Sequence, residues 1–139
     1  MAEILRALVT GASGQLGREL ALSAPAGVQC IALDRSGLDI TDRDSIAEVL
    51  SRTQPDVLLN AAAYTAVDKA ETDRDVAFAV NDTGPGLLAE ACALRQIRLL
   101  HVSTDFVFDG ASGSPYRPGD STGPLGIYGA SKLAGEARL

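Results

Sequence analysis

Apolar residues along this chain fall into short runs separated by amphipathic stretches. Residues 4–10 (ILRALVT) form a partly β-branched run that stops at a glycine. Val28–Leu33, Val57–Asn60 and residues 97–103 repeat that pattern, each near Gly, Pro, Asp or Thr. Short apolar runs bounded by turn residues read as buried strands. Between them the period lengthens to that of a helix. Apolar positions continue through Leu20 and Leu22 until Pro25 and Gly27, and recur over about 41–52 and about 76–94. Thr41-x-x-Asp44 predicts a capping box with a shorter acid, with Asp42 and Asp44 as helix-start charges. Gly84-Pro85-Gly86 lies inside the third helical stretch and predicts a kink. Strands alternating with helices predict an α/β chain: a Rossmann-like, doubly wound parallel sheet with helices on both faces.

Composition narrows the picture. A chain of 139 residues is one domain's worth. Hydrophobic residues make up 46% and aromatics 4%, with no Trp, which suits helices lying close on a sheet. The net charge of −6 argues against a nucleic-acid surface. No apolar run is long enough to span a membrane, and no basic-then-apolar leader opens the chain. Cys30 and Cys92 lie in apolar runs without framework spacing and read as reduced core thiols. The expectation is a soluble cytoplasmic protein with no nucleic-acid partner, no membrane partner and no metal site.

The glycines carry the first chemistry. Gly11, Gly14 and Gly17 stand between the first strand and the first helix. Gly11 permits a tight turn, Gly14 lets backbone approach a pyrophosphate, and Gly17 lets helix pack on strand. The amides of Gln15 and Leu16 then face an anion with the helix dipole behind them. Asp34 ends the second strand, about 20 residues on, where a carboxylate can take ribose hydroxyls. Arg35 follows and suits a 2′-phosphate instead, so NAD and NADP both remain open. Asp39 and Ile40 fall under the adenine in such a fold. Ala61, Ala62 and Ala63 leave room for a flat cofactor at the third strand's end. His101 reads as a packed strand residue, and the acids of residues 67–75 as a solvated helix start with no chemistry assigned. Residues 106–124 read as a long loop of the kind that serves function. Beyond it, Tyr128 and Lys132 stand four apart on a helix, sharing a face. An ammonium beside a phenol favours the phenolate and suits the phenol to proton transfer.

With these residues in place, the sequence resembles the extended short-chain dehydrogenase/reductases, and among them the dTDP-4-dehydrorhamnose reductase family. The glycine turn and the Tyr128/Lys132 pair carry the first likeness. Three strings carry the second: NAAAYTAVDKAE from Asn60, STDFVFDG from Ser103, and GPL at Gly123 leading into YGASKLAGE from Tyr128. Phe106 stands where the family more usually has tyrosine. The resemblance implies reduction of the C4 keto group of dTDP-4-dehydro-6-deoxy-L-mannose to dTDP-L-rhamnose, a precursor of cell-wall polysaccharide, with NADPH or NADH as hydride donor. Thr104 would hydrogen-bond the C4 carbonyl, Tyr128 would supply the proton, and Lys132 would lower the tyrosine pKa and hold ribose hydroxyls. Gly14, Gln15 and Leu16 would bind pyrophosphate within a cofactor-binding turn that includes Gly11 and Gly17, with Asp34, Asp39 and Ile40 around the adenosine. Ala63, Tyr64, Thr65 and Val102 would line the rest of the cofactor, and Asp105 would touch the sugar. The family is about twice this long, so residues 1–139 match its dinucleotide-binding part, and the C-terminal substrate-binding part is absent. This chain alone is expected to bind cofactor with little turnover; a homodimer of the full-length protein is compatible with the resemblance. A nucleotide-sugar epimerase or dehydratase of the same superfamily, and a non-catalytic cofactor-binding regulatory module, are the alternatives.

Overall fold

The computed structural model describes residues 4–139. Residues 1–3, on which the expectation of no leader partly rests, lie outside it. The elements run β1 (Leu5–Thr10), α1 (Gln15–Leu22), β2 (Val28–Leu33), α2 (Arg43–Thr53), β3 (Val57–Asn60), α3 (Val67–Ala70), α4 (Arg74–Phe78), α5 (Gly84–Arg95), β4 (Arg98–His101) and α6 (Ile127–Glu136). A π-helical turn, Ala79–Thr83, joins α4 to α5, and a 3-10 turn, Asp105–Val107, follows β4.

All four strands pair in parallel, in the order β2-β1-β3-β4. The chain steps outward from β1 to β2, then returns past β1 to β3, so the winding reverses between β1 and β3. Right-handed crossovers then put α1 on one face and α2 and α5 on the other. The register sets Thr10 beside Leu33 and Asn60, and Asn60 beside His101. Those four residues form one row across the carboxyl edge of the sheet. Ligands bind at that edge, at the reversal point.

The core lies under α2 and α5. Leu8 and Leu58 from the sheet meet Ile46 and Leu50 of α2 and Leu88 of α5, all essentially inaccessible to water. Burying each such side chain contributes about 1.5–3 kcal/mol. β4 is an edge strand whose residues alternate outward and inward, and Leu100 is 53% exposed. Among the described residues no helix is long and apolar enough to cross a membrane.

Several boundaries differ from the sequence reading. The Thr41–Asp44 capping box is not formed. Asp42 caps α2 instead, accepting from the Asp44 and Ser45 amides. Thr41 Oγ1 donates to Asp39 Oδ1 at 2.7 Å and so serves the preceding loop. The stretch over 76–94 is not one kinked helix but two, with the π turn between them. Pro85 lacks an N–H and its ring crowds the carbonyl four residues back, that of Asn81; the wider turn relieves this clash. The fourth strand closes at His101 rather than Ser103, because Lys132 takes the Val102 carbonyl. Cys92 is buried, and burial pushes its thiol up to about 11. Cys30 is only partly buried, and both are free.

Candidate active site

The glycine turn is built from backbone. Gly11 has φ +67°, a left-handed conformation that disfavours a side chain, and a Cβ there would lie 2.7–2.8 Å from the backbone of Ala61 and Ala62. The turn therefore runs hard against the end of β3. A Cβ on Gly17 would drive into the Gly11 carbonyl, so this glycine sets how closely α1 lies on β1. Gly14 caps α1 without a side-chain bond, and a Cβ there would meet Gly11 O alone, at 3.3 Å. Space opens beyond it.

That space is a cleft of about 930 Å³, within the size range of small-molecule sites. Gly11, Gly14, Gln15, Leu16, Asp39 and Ile40, from the ends of β1 and β2, line it. So do Ala63, Tyr64, Thr65, Val102, Tyr128 and Lys132, from the loops after β3 and β4 and from α6. Gly17 stays behind the turn as packing. Asp34 does not line the cleft. Its Oδ1 accepts from Ser36 N (3.0 Å), Ser36 Oγ (2.6 Å) and Gly37 N (3.2 Å). The Ser36 hydroxyl, then the Gly37 amide, hold that carboxyl below its ordinary value. Arg18 and Arg35 line the cleft instead, and Arg35 Nε stands 3.5 Å from Asp39 Oδ2.

A second pocket of about 440 Å³ adjoins the first. Val67, Asp105, Phe106, Tyr116 and Leu125 are among its walls, and Tyr128 lines both cavities. The Phe106 ring meets the Tyr128 ring edge-on, with centroids 5.5 Å apart. Thr104 lines neither pocket. It caps the 3-10 turn, accepting from Phe106 N at 3.2 Å. A Cβ on Gly129 would strike the Phe106 carbonyl, so α6 lies directly on the turn that carries Thr104.

Lys132 is 2% exposed. Its Nζ donates to Val102 O at 2.6 Å and stands 3.5 Å from His101 Nε2. Burial lowers its pKa, and the Glu136 charge opposes that. Behind it a polar chain crosses the sheet edge. Thr10 Oγ1 donates to Asn60 Oδ1 at 2.6 Å, and Ala62 N donates to the same oxygen at 3.2 Å. The Asn60 amide nitrogen therefore faces His101 Nδ1, at 3.0 Å, and that ring nitrogen accepts. The neutral ring then carries its proton on Nε2. Burial, then the Lys132 charge, bring the His101 pKa down to about 4.

Asn81 is 1% exposed, a buried polar residue in the π turn. Its side chain grips Tyr64 on both backbone groups, at 2.9 and 3.0 Å, and donates to Ser131 Oγ at 3.0 Å. It thereby ties the loop after β3 to the residue preceding Lys132. The Asn81 carbonyl, released by Pro85, receives Gly135 of α6 so closely that a Cβ there would overlap it. A proline four residues after the asparagine was the available signal. Two acids assigned no chemistry also have partners. Asp73 accepts from the Tyr64 hydroxyl and pairs with Lys69, and Glu71 accepts from Ile127 N. Among the described residues no group of acids, cysteines and histidine could hold a metal ion.

Comparison with known proteins agrees with this architecture. Residues 5–139 match the family model described as the RmlD substrate binding domain. A dTDP-4-dehydrorhamnose reductase of Mycobacterium tuberculosis is 51% identical over 136 residues, 94% of this chain and 44% of the relative. A Streptomyces niveus relative, 46% identical over 132 residues (94% of this chain, 46% of the relative), is named dTDP-4-keto-6-deoxy-D-glucose reductase. The crystal structure of dTDP-4-dehydrorhamnose reductase from Bacillus anthracis, in complex with NADP, superposes with a TM-score of 0.96 at 37% identity. It covers 99% of this chain and 50% of its own. The chain thus spans about half the length of the proteins it matches. By sequence and fold alike, it belongs to the dTDP-4-dehydrorhamnose reductase family of extended short-chain dehydrogenase/reductases.

Proposed function

We propose that residues 4–139 form the nicotinamide-binding half of an NAD(P)H-dependent reductase acting on the C4 ketone of dTDP-4-dehydro-6-deoxy-L-mannose. The observation that carries this reading is a single cleft lined both by the glycine turn after β1 and by Tyr128 and Lys132, the latter beside Val102 after β4. The lining fits a dinucleotide. Gly14 leaves backbone open to a pyrophosphate, and the α1 dipole favours the anion. At the far end the buried Lys132 ammonium has three N–H donors against one carbonyl, that of Val102, since the facing His101 Nε2 carries its own proton, leaving capacity for ribose hydroxyls.

When bound, a reduced nicotinamide supplies hydride. The chain's residues manage the charge that reduction builds on the carbonyl oxygen. Tyr128 donates a proton to that oxygen, and Thr104 donates a hydrogen bond to it. Lys132 neutralises the phenolate left behind. Asp105, on the wall of the second pocket, accepts from a sugar hydroxyl. Asp39 and Ile40, which line the cleft, serve the adenosine end, and Ala63, Tyr64, Thr65 and Val102 the remainder. Substrate closure draws on the half of the family's length that lies outside this chain, so residues 1–139 alone bind cofactor with little turnover.

The test is nicotinamide absorbance on mixing NADPH, dTDP-4-dehydro-6-deoxy-L-mannose and a polypeptide of full family length containing this chain. The account expects oxidation, slowed about 10²–10⁴-fold in Tyr128→Phe. Unchanged absorbance contradicts it. The name of the Streptomyces niveus relative favours a second reading, with the D-gluco ketone as substrate. Comparing kcat/KM for the two ketones decides between them.

A further inference from the structure

α6 opens on Gly126, whose backbone is extended and which has no side chain to cap the helix. The first N–H groups of any helix lack partners within it. Here the Ile127 N–H donates to Glu71 Oε1 at 2.8 Å, across 56 residues of sequence. A Cβ built on Gly126 meets one heavy atom within 4 Å, and that atom is Glu71 Oε1, at 2.9 Å. The carboxylate therefore fills the place an N-cap side chain would use. Its charge also sits at the positive end of the α6 dipole.

Tyr128 is the next residue, in the turn this bond closes. The remainder of α6 is fastened by other means. Lys132 Nζ bonds Val102 O, Gly135 lies on Asn81 O, and just past the helix Arg138 Nε meets Asp82 Oδ1 at 2.7 Å. Gly129 rests on the Phe106 carbonyl, which fixes the depth of the first turn. Glu71 supplies what that contact does not, a hydrogen bond at the helix start. The carboxylate lines neither pocket, so it acts through the helix rather than on a ligand.

We propose that Glu71 is a positioning residue for Tyr128: its carboxylate caps α6 from the end of α3 and holds the phenol where the two pockets meet. This rests on the reading of Tyr128 as part of a nicotinamide site, and it adds a residue outside the cleft to that site. It also explains the glycine at 126, since a larger residue would displace the carboxylate.

The test uses the 139-residue chain at a temperature where circular dichroism shows every variant folded. Two quantities are read: amide hydrogen exchange over residues 127–129, and the Kd for NADPH. Glu71→Ala is expected to speed exchange and weaken NADPH, each by the roughly fivefold that a lost N-cap is worth. Glu71→Gln keeps an accepting oxygen but loses the charge, and falls between wild type and Glu71→Ala in both. Gly126→Ser in the Glu71→Ala background supplies a cap from the helix's own chain, in space the lost carboxylate leaves, and restores both. Wild-type exchange and affinity in Glu71→Ala overturn the proposal. So does a Gly126→Ser rescue that restores exchange but not affinity, which would make the cap purely structural. A wild-type chain that leaves NADPH unbound contradicts the cofactor reading itself, a result distinct from equal affinities in wild type and Glu71→Ala.

Discussion

The two ends of the cleft are made differently. The glycine turn comes from one contiguous segment, β1 into α1, with Asp39 and Ile40 beside it from the loop after β2, and its working groups are backbone amides. The Tyr128 end is assembled from side chains on α6, β4, the π turn and the loop after β3. Its bonds span long stretches of sequence: Asn81 to Ser131, Lys132 to Val102, Glu71 to Ile127. A site made by local backbone shows itself as glycine spacing. A site made by distant side chains shows only its endpoints, here Tyr128 and Lys132, while the residues that hold them look like ordinary polar positions.

Backbone-on-backbone contact is nevertheless common to both ends, and the largest expected effects break it. Gly17→Ala and Gly135→Ala each push a methyl into a carbonyl, of Gly11 and Asn81 respectively. Each should lower stability by about 3 kcal/mol or more in urea denaturation. Gly113→Ala and Gly119→Ala, with nothing within 4 Å of the added carbon, should change it by less than about 0.5 kcal/mol. If Gly135→Ala proves as mild as those controls, α6 is not seated as described.

The next effect separates the two ends by pH. His101 has a folded pKa of about 4, against an ordinary value of 6.5. The unfolded chain therefore takes up its proton first on acidification. This contribution to stability is fully present above about pH 6.5 and is lost as pH falls through the window down to about 4. The loss is on the order of 3 kcal/mol. His101→Gln should flatten that stretch of the stability-versus-pH curve. The carboxylates at the glycine-turn end, Asp34 and Asp39, have lowered pKa values and add their losses only below the usual carboxylate range. A curve equally steep in His101→Gln contradicts the Asn60–His101–Lys132 arrangement.

The smallest effect compares a near cap with a remote one. Asp42 caps α2 from the adjacent position, as Glu71 caps α6 from another element. Asp42→Ala should cost about 1 kcal/mol of stability. It should leave NADPH affinity unchanged, unlike Glu71→Ala. An altered affinity would show that the two ends are coupled through α2.

The fold was legible because strand and helix periods differ, and four strands were placed within a few residues. The glycine turn was legible for the same local reason. What escaped were decisions made by tertiary partners. Asp42 displaced Thr41 as cap because Asp39 claims the Thr41 hydroxyl. The helical stretch from 76 split because Asn81, freed at its carbonyl by Pro85, is held on both sides by Tyr64 and Ser131. Asp34 stands where the spacing puts it, yet its own loop engages one of its oxygens. His101 was legible as packed but not as the neighbour of Lys132.

If both ends of the cleft serve one dinucleotide, an amide-resolved NADPH titration of the 139-residue chain moves the signals of Gly14, Gln15 and Leu16 together with those of Tyr128 to Lys132, with one Kd. Shifts confined to one end, or different affinities at the two, would contradict it.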